Sequence, residues 1–523
     1  MDNALKMAVW TSVSEDVAPS PRMIIRAAEA RGIPWTYRKD LDLLQLGQGS
    51  QRRWIRAMTT CLESDVAVDL AQDKQVTKSL LQSSGIPVPR GFSVKSVESA
   101  VAAAEQLNGP FVVKPVDGHK GKGVSTGLNT TEQVIQAYKY ASRYARAILI
   151  EEQLLGRDFR VLVVNGKVFA AAERIPAHVT GDGVHSIAEL IDIENRNPLR
   201  GSGRDKPMTR LRLDAIADAF LSKAGKNRED VPPAGSIVTL RGNANLSQGG
   251  CADDVTDGIH PEVRNICERA ARILGLPLCG IDLILRDVSR PLSDQRIGII
   301  EVNAGPGIRV HHFPRRGPSR DAGAAILDYL YPDHGDGRIP VFGVFGSADI
   351  ALVIEEELRR TGLRVGLANP KGTFVDSKIV SSTSTINPAH LLLGDPGVDA
   401  AIFETTLSPT HDLPELDIAV LASSAVEPGS IIARLLPAGK LVVNADDMEL
   451  VNHERIVNYP VQKLVLVSAQ PNSPSVQDHL ARGGSAFFPP ERQMIAHSYR
   501  LESIAAIAAC RSIPSRPNRL HAR

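Results

Sequence analysis

Residues 341–367 alternate between apolar strand, helix and strand, and this alternation constrains the fold more than any other pattern in the chain. A strand is predicted from Val341 to Phe345, a helix from Ile350 to Thr361, and a second strand from Arg364 to Leu367. Parallel strands need a crossover connection, which is usually a helix of this kind. The pattern therefore predicts a parallel, doubly wound α/β domain over residues 336–510.

The loop between that first strand and its helix lies where a phosphate-binding loop belongs, but it lacks the residues for the task. Such a loop uses glycine to wrap the phosphate, lysine to neutralise it and a hydroxyl to hold Mg²⁺. Asp349, Ile350 and Ala351 take those three positions here. An aspartate at a helix N-terminus accepts hydrogen bonds from the free N–H groups and repels an anion. We therefore expect a disabled P-loop in this domain, with the chemistry upstream.

The length and charge balance of the chain exclude several classes of protein. A chain of 523 residues is too long for one hydrophobic core. Its net charge is +1 without a long basic run, so nucleic-acid binding has no electrostatic support. No apolar run reaches membrane-spanning length, and the five scattered cysteines fit neither a disulfide framework nor a zinc site. We expect a cytoplasmic protein with no nucleic acid or membrane partner.

Element order and composition divide the chain into four parts. A short N-terminal domain is predicted over residues 1–71, and an α+β module with antiparallel sheets over residues 72–335. The doubly wound domain over residues 336–510 follows, and residues 511–523 form a basic tail. The fold class is therefore a multidomain combination of α/β and α+β.

A buried strand that ends in a lysine indicates a nucleotide site in the α+β module. The strand from Phe111 to Lys114 leads into a basic, glycine-rich loop from Asp117 to Val124. Backbone amides and cations of such a loop can close on phosphates. Surface loops rich in glycine and lysine are common, so this signal alone is weak. The candidate nucleotide-binding residues are Lys114, Gly118, His119, Lys120, Gly121 and Gly123.

Two later strands bring oxygen ligands together. Asp282 lies in the first strand, whereas Glu301 and Asn303 are two residues apart in the second and so face the same side. Three oxygen ligands without sulfur or imidazole suit Mg²⁺ bound together with ATP phosphates. Apolar runs bracket both acids, which favours this interpretation over a pair of surface acids on a hairpin.

The segment from Leu240 to Gly250 offers a fixed cation and several amides next to glycines. In ligases that form an acyl phosphate, such a cation stabilises the negative charge on the phosphate and on the tetrahedral intermediate. Arg241 and Asn245 are therefore candidate catalytic residues. The alternative for Arg241 is a structural ion pair with an acid such as Asp253.

Candidate substrate-binding residues lie upstream of this segment. Arg160 and Arg174 can each bind a carboxylate through a bidentate fork. A structural ion pair is the alternative for either arginine. His178 lies near them, although a histidine near a site is more often packed or hydrogen-bonded than catalytic.

The stretch from Ile148 to Val161 resembles the hinge of the ATP-grasp fold. In that fold, main-chain groups read the adenine and an acid a few residues later holds the ribose. The resemblance implies Glu151, Glu152 and Leu154 at the adenine, Asp158 at the ribose, and Lys74 and Lys114 at the phosphates. Lys78 is an alternative to Lys74, because it lies one turn further along the same helix.

Several longer segments resemble the cyanophycin synthetase family. They are Ala27–Trp35, Leu44–Gly47, Ala171–Gly183, Ala244–Ser247 and Val443–Asp447. The resemblance implies an ATP-grasp module that forms amide bonds through an acyl phosphate, followed by a Mur-ligase-like domain. It implies ATP and Mg²⁺ as cofactors and amino acids or peptides as substrates. We also expect a homo-oligomer, either a dimer or a tetramer.

The disabled P-loop points to one class within that family. The class that joins preformed β-aspartyl-arginine dipeptides uses only the ATP-grasp site and shares an inactive Mur-like domain. Dipeptide joining is therefore the leading hypothesis for the substrate. The alternatives are a peptide ligase with a different acid and amine, a non-catalytic regulatory partner of an intact synthetase, and a carboxylate kinase on the same fold.

Overall fold

The computed structural model describes residues 17–107, 109–116, 123–202, 206–382, 387–405, 413–488 and 510. The chain divides into two compact units. The first unit contains Met1–Arg31, Trp35–Gln45 and Trp54–Pro332, and the second contains Gly32–Pro34, Leu46–Arg53 and Asp333–Arg523. Within the described ranges, no helix combines the length and the apolar character that crossing a membrane requires.

The elements before residue 333 comprise those of the α+β module predicted from residue 72 onward and those of the preceding part of the chain. The helices are α1 Pro19–Arg31, α2 Asp65–Gln72, α3 Lys74–Ser83, α4 Val97–Gln106, α5 Thr131–Ala141, α6 Ile187–Asn195, α7 Ala215–Lys223, α8 Pro261–Ile273, α9 Arg309–His312 and α10 Ala322–Leu330. The strands are β1 Trp35–Arg38, β2 Leu43–Leu46, β3 Arg53–Arg56, β4 Thr59–Thr60, β5 Gly91–Val94, β6 Phe111–Pro115, β7 Ser125–Leu128, β8 Ile148–Glu152, β9 Arg157–Val164, β10 Lys167–Ile175, β11 His178–Thr180, β12 Arg200–Gly201, β13 Met208–Thr209, β14 Ile237–Thr239, β15 Cys251–Asp254, β16 Cys279–Leu285 and β17 Gly298–Asn303.

Two antiparallel sheets organise the first unit. One has the strand order β15-β10-β9-β16-β17, and its apolar face packs against α2, α3 and α8. The other has the order β5-β8-β6-β7 and is covered by α4 and α5. Arg160 on β9 and Asp282 on β16 are directly paired and alternate with residues of this core, so they lie on the opposite face of the larger sheet. The predicted antiparallel pairing is confirmed.

Helix α1 packs closely on α10. A Cβ atom at Gly323 would lie 2.6 Å from the carbonyl oxygen of Met23, so only glycine permits this approach. At the other end of α1, Arg31 Nη1 lies 2.8 Å from Asp328 Oδ1, and Arg31 Nη2 donates to the Tyr331 carbonyl. These contacts fix the first helix on the body of the unit.

The second unit contains the predicted doubly wound sheet. Its helices are α11 Ala348–Arg360, α12 Pro388–Gly394, α13 Pro428–Ile432, α14 Met448–Val451, α15 Glu454–Val457 and α16 Pro474–Ala481. Its strands are β18 Val341–Phe345, β19 Val365–Asn369, β20 Gly372–Val375, β21 Lys378–Ser381, β22 Ala400–Thr405, β23 Leu416–Leu421, β24 Leu435–Asn444, β25 Leu464–Val467 and β26 Ser485–Phe487. The strand order is β21-β20-β19-β22-β18-β23-β24-β25-β26, with an apolar core on each face.

The sheet is parallel from β19 to β26, but β20 and β21 form an antiparallel extension at one edge. The sequence analysis did not predict this hairpin. Its two-residue turn consists of Asp376 and Ser377, which both have positive φ. Such turns usually carry asparagine or glycine, so the pattern gave a poor signal.

Candidate active site

Three lysines and two glutamates form a charge cluster where α3 meets β6, β8 and β17. Lys114 Nζ lies 2.7 Å from Glu151 Oε2, and Lys78 Nζ contacts the other oxygen of that carboxylate. Lys74 Nζ lies 3.8 Å from Glu301 Oε1. Lys74 and Lys78 are four residues apart and share one face of α3. The structure thus brings Lys74 and Lys114 together and adds Lys78, which the sequence offered only as an alternative.

This cluster is mostly buried and carries more positive than negative charge. Lys114 is 9% exposed and Glu151 is 2% exposed. Burial, and after it repulsion from Lys74, lowers the pKa of Lys114 to about 8. Burial and then Lys114 hold the pKa of Lys78 well below its usual range. Because the lysines outnumber the carboxylates, the cluster fits an additional anion such as a nucleotide phosphate.

The predicted adenine and ribose residues lie at the end of β8 and the start of β9. The Glu151 carboxylate is held by two lysines. Glu152 is 7% exposed and has its carboxylate 3.5 Å from Arg90 and 3.8 Å from Arg296. Leu154 packs over Gly298 on β17. The adenine contacts of these residues stay predictions.

The glycine-rich loop after β6 is described only at its end. Gly118, His119, Lys120 and Gly121 lie outside the described residues. Gly123 has a φ of +73°, and a Cβ there would lie 2.8 Å from Pro115 Cγ. Glycine is therefore required where the loop returns to β7.

The predicted metal ligands are neighbours on β16 and β17. Asp282 pairs directly with Glu301 across the two strands, and Asn303 follows two residues later. Asn303 Nδ2 donates to the Gly280 carbonyl at 3.4 Å, which leaves the amide oxygen for a cation. In the described part of the chain, no group of three or more His, Cys, Asp or Glu residues could hold a metal. Two carboxylates and an amide oxygen nevertheless fit a divalent cation that shares phosphate ligands.

A cavity of about 610 Å³ lies within the first unit. Its walls come from the start of α1, the turn at Ala57 and Met58, the loop Ala244–Ser247 and the segment Gly307–Val310. Cavities of this size commonly bind small molecules as large as a dipeptide. The charged residues in its lining are Asp42, Arg160, Arg174, Arg212 and Arg309.

Arg160 and Arg174 line this cavity, and both are ion-paired. Arg160 Nε lies 2.5 Å from Asp282 Oδ1, and Arg174 Nη2 lies 3.1 Å from Asp282 Oδ2. Asp158 Oδ1 accepts hydrogen bonds from Arg174 Nε and Nη2 at 3.0 Å and 2.7 Å. The structural ion pair that the sequence left open is thus present for both arginines. Their contact with a substrate, and that of Asp158 with ribose, stay predictions.

Arg241 is 4% exposed and is held by neighbouring groups. Its Nη2 lies 2.8 Å from Asp214 Oδ2, and its Nη1 donates to the Leu240 carbonyl at 2.9 Å. The partner considered from sequence, Asp253, is wrong, because Asp253 pairs instead with Arg315. Sequence proximity could not identify Asp214, which lies 27 positions away.

Asn245 and Arg241 differ in their position relative to the cavity. Asn245 lines the cavity, whereas Arg241 is not part of the lining formed by the described residues. Asn245 therefore lies next to the space that a substrate would occupy, and its catalytic role stays a prediction. The catalytic role of Arg241 stays a prediction for a side chain whose two terminal nitrogens already donate within the fold.

The histidines near the site are hydrogen-bonded or buried. His178 Nδ1 lies 2.8 Å from the Pro176 carbonyl, and its Nε2 lies 3.4 Å from Arg315 Nη1. His311 is 1% exposed, and burial lowers its pKa to about 3. His311 is therefore neutral at physiological pH. His178 stays a substrate-binding prediction without a place in the cavity lining.

The corresponding strand-to-helix connection of the second unit places apolar residues where a P-loop has its lysine and hydroxyl. Ile350 and Ala351, at the positions of the missing lysine and hydroxyl, are 4% and 1% exposed. The expected cap was wrong in its residue, because the Ser347 hydroxyl, and not Asp349, accepts the hydrogen bond from the Ile350 N–H. In the first turn of α11, Ala348 and Asp349 are exposed whereas Ile350 and Ala351 are buried, and the turn offers no cation to a phosphate.

Comparisons with known proteins identify the class first. The model of the RimK-like ATP-grasp domain matches residues 71–182. A bifunctional glutathione synthetase from Pasteurella multocida has a similar structure, with a TM-score of 0.52 and 29% identity over 63% of this chain and 46% of the other. The fold and the charge cluster therefore define a protein of the ATP-grasp class.

Two curated relatives match longer parts of the chain than the ATP-grasp domain model does. The cyanophycin synthetase of Trichormus variabilis is 36% identical over 504 residues, which cover 91% of this chain and 55% of the relative. The glutathione biosynthesis bifunctional protein of Clostridium perfringens is 32% identical over 322 residues, or 61% of this chain and 41% of the relative. The chain is a homologue of the cyanophycin synthetases over about nine-tenths of its length, and spans about half the length of these curated relatives. The predicted resemblance is confirmed.

Proposed function

We propose that the chain is an ATP-dependent carboxylate-amine ligase with a single site in the first unit. The observation that carries the proposal is the cluster of Lys74, Lys78 and Lys114 beside the oxygen ligands of β17. The cavity next to this cluster is linked to it through Asp282, which neighbours Glu301 and binds Arg160. A nucleotide phosphate and a carboxylate can therefore be held side by side.

The proposed reaction has two steps, a phosphoryl transfer and an acyl transfer. The substrate carboxylate attacks the γ-phosphorus of ATP, forming an acyl phosphate and releasing ADP. An amine then attacks the acyl carbon, an amide forms, and inorganic phosphate leaves. Lys74 and Lys114 would hold the phosphate oxygens, and Asn245 would donate to the oxygen that gains charge.

The proposal assigns Mg²⁺ to Asp282, Glu301 and Asn303. A divalent ion bound with ATP supplies charge neutralisation on the phosphates. Asp282 already accepts from two arginines, so Glu301 and Asn303 would contribute the freer oxygens. A cytoplasmic location and a homo-oligomer belong to the proposal as well.

The substrates proposed first are β-aspartyl-arginine dipeptides. Support comes from the similarity to cyanophycin synthetases and from α11, where the buried Ile350 and Ala351 take the positions of the P-loop lysine and hydroxyl. A second candidate is a ligase for a different acid and amine. The similarity to glutathione biosynthesis proteins favours it, because it covers the ATP-grasp part of the chain.

The decisive experiment measures ADP release by the purified chain with Mg²⁺ and ATP, with products read by mass. The reactions compare no substrate, β-aspartyl-arginine, aspartate with arginine, and a panel of amino acids. Masses that rise by one dipeptide less one water would support dipeptide joining. Release with other pairs would support the second candidate. Release without an amine would indicate a carboxylate kinase, and no release would favour a regulatory partner.

A further inference from the structure

Two cations of the cavity, Arg212 and Arg309, have no ion-paired acid among the described residues; Arg212 is exposed, whereas Arg309 is partly buried. Burial lowers its pKa to about 10, and no carboxylate acts to raise it. It therefore remains charged at neutral pH. Arg160 and Arg174, in contrast, are neutralised by Asp158 and Asp282.

The charges around the cavity are unbalanced as a result. The four arginines of the lining face three carboxylates, those of Asp42, Asp158 and Asp282. Asp42 accepts a hydrogen bond from Tyr37 at 2.6 Å and lies on another wall segment. A partly buried guanidinium without a counter-charge is costly unless a ligand supplies the anion.

Arg309 is also held in place from the opposite wall. The Ser20 hydroxyl, at the start of α1, accepts a hydrogen bond from the Ile308 N–H at 3.2 Å. Ile308 is fully buried and directly precedes Arg309. Because α1 is fixed on α10 by the close contact at Gly323, the backbone that carries Arg309 is preorganised.

We propose that Arg309 binds a carboxylate of the substrate that does not take part in the reaction. A reacting carboxylate becomes a neutral amide, so it could not neutralise the guanidinium through the whole turnover. A second carboxylate could, and the guanidinium would hold it through two parallel N–H···O bonds. The site thus selects substrates with two acidic groups. The inference rests on the proposed ligase function, but the selectivity can be tested by binding alone.

The test compares succinate with succinamate, in which one carboxylate is replaced by an amide of nearly the same size. Calorimetry is done on the full chain with Mg²⁺ and AMP-PNP. We expect succinate to bind about 10- to 100-fold more tightly than succinamate, the usual range for a charged hydrogen-bonded pair. In Arg309→Gln this preference disappears. Arg309→Lys keeps part of it, because the charge remains but the fork is lost.

Arg228→Gln is the matched control, because Arg228 is exposed and pairs with Asp218 outside the cavity. It should keep the full preference. Unchanged AMP-PNP affinity and melting temperature in each variant show that the chain is folded. Equal binding of the two acids by the unaltered chain, or a preference that survives Arg309→Gln, would overturn the proposal.

The ADP-release panel separates this inference from the ligase proposal. Loss of the succinate preference in Arg309→Gln supports the inference even if no substrate pair releases ADP. Robust ADP release together with an unchanged preference would support the ligase and reject the role of Arg309.

Discussion

Helices α3 and α11 begin in the same way and present opposite chemistry. Asp73 caps α3 by accepting from the N–H groups of Gln75 and Val76, and Ser347 caps α11 by accepting from Ile350. The first turns after these caps then differ. α3 directs Lys74 and Lys78 toward carboxylates, whereas α11 buries Ile350 and Ala351 in the core.

A helix start is therefore not by itself an anion site. Both helices have free N–H groups and a favourable dipole at this end. What differs is the side chains of the first turn and the neighbours that they meet. In the first unit, acids hold the lysines in place; in the second, the position of the missing lysine is the buried, apolar Ile350 and the charge of the first turn is the exposed, negative Asp349.

The largest effect is expected for Glu301→Ala. Removing this carboxylate deletes a proposed metal ligand and the partner of Lys74, so ADP release should fall about 1,000-fold or more. Asp349→Ala is the control in the second unit and should change the rate less than twofold. Retained turnover in Glu301→Ala would reject the metal assignment. A large loss in Asp349→Ala would break the comparison.

A lysine placed in the first turn of α11 should be the next largest effect. Ile350→Lys puts a charge into a core position that is 4% exposed, and we expect a loss of about 3 kcal/mol in unfolding free energy. Leu352→Lys on the same helix is the control, because Leu352 is 50% exposed. Thermal unfolding of both variants measures the difference. Unchanged stability of Ile350→Lys, or a second bound nucleotide in Asp349→Gly with Ile350→Lys, would contradict the prediction.

The pH dependence of nucleotide binding should report Lys114. Its pKa of about 8 means that the free protein loses this charge as pH rises through 8. Phosphate binding needs the charged form, so the Kd for Mg·AMP-PNP should be flat below pH 8 and rise up to about tenfold per unit above it. Lys114→Arg should show a smaller rise over the same range, since arginine stays protonated and only Lys78, whose pKa is also lowered, remains to lose its charge. Parallel curves for the two proteins would show that another group is responsible.

The smallest effect is expected at the two caps. Asp73→Ala and Ser347→Ala should each cost about 1 kcal/mol of local stability, measured by hydrogen exchange in α3 and α11. Only Asp73→Ala should also raise the KM for ATP, because Lys74 follows it directly. Ser347→Thr retains a hydroxyl and serves as the control for α11. An equal change of KM in both alanine variants would remove the distinction between the helices.

The parts of the fold that local patterns determine were predictable from sequence. Strand β18 was expected from Val341 to Phe345 and is found there, because two Val-Phe pairs flank Gly343 and the run ends at Gly346. Helix α3 follows its aspartate cap, and Glu301 and Asn303 share a face because they are two apart on one strand. In each case neighbours in the sequence decide the structure.

The pairing of the arginines could not be predicted in this way. Arg160 and Asp282 are 122 positions apart, and Arg241 finds Asp214 across a separate turn of the chain. The position of Arg309 could not be predicted for the same reason, since only the tertiary fold shows a partly buried cation with no ion-paired acid among the described residues. The Ser347 cap was missed because Asp349 is an equally good capping residue type, and only backbone geometry distinguishes them.

The walls of the cavity come from segments that are far apart in the sequence, whereas the lysine cluster and the oxygen ligands lie on one helix and a few strands. Substitutions in the wall segments could therefore change which acid is accepted while the phosphate machinery stays intact. After a gene duplication, substitutions in these loops could therefore change the substrate of one copy. The start of α1, which carries Ser20, is one wall segment where such substitutions would leave the phosphate-binding residues unchanged.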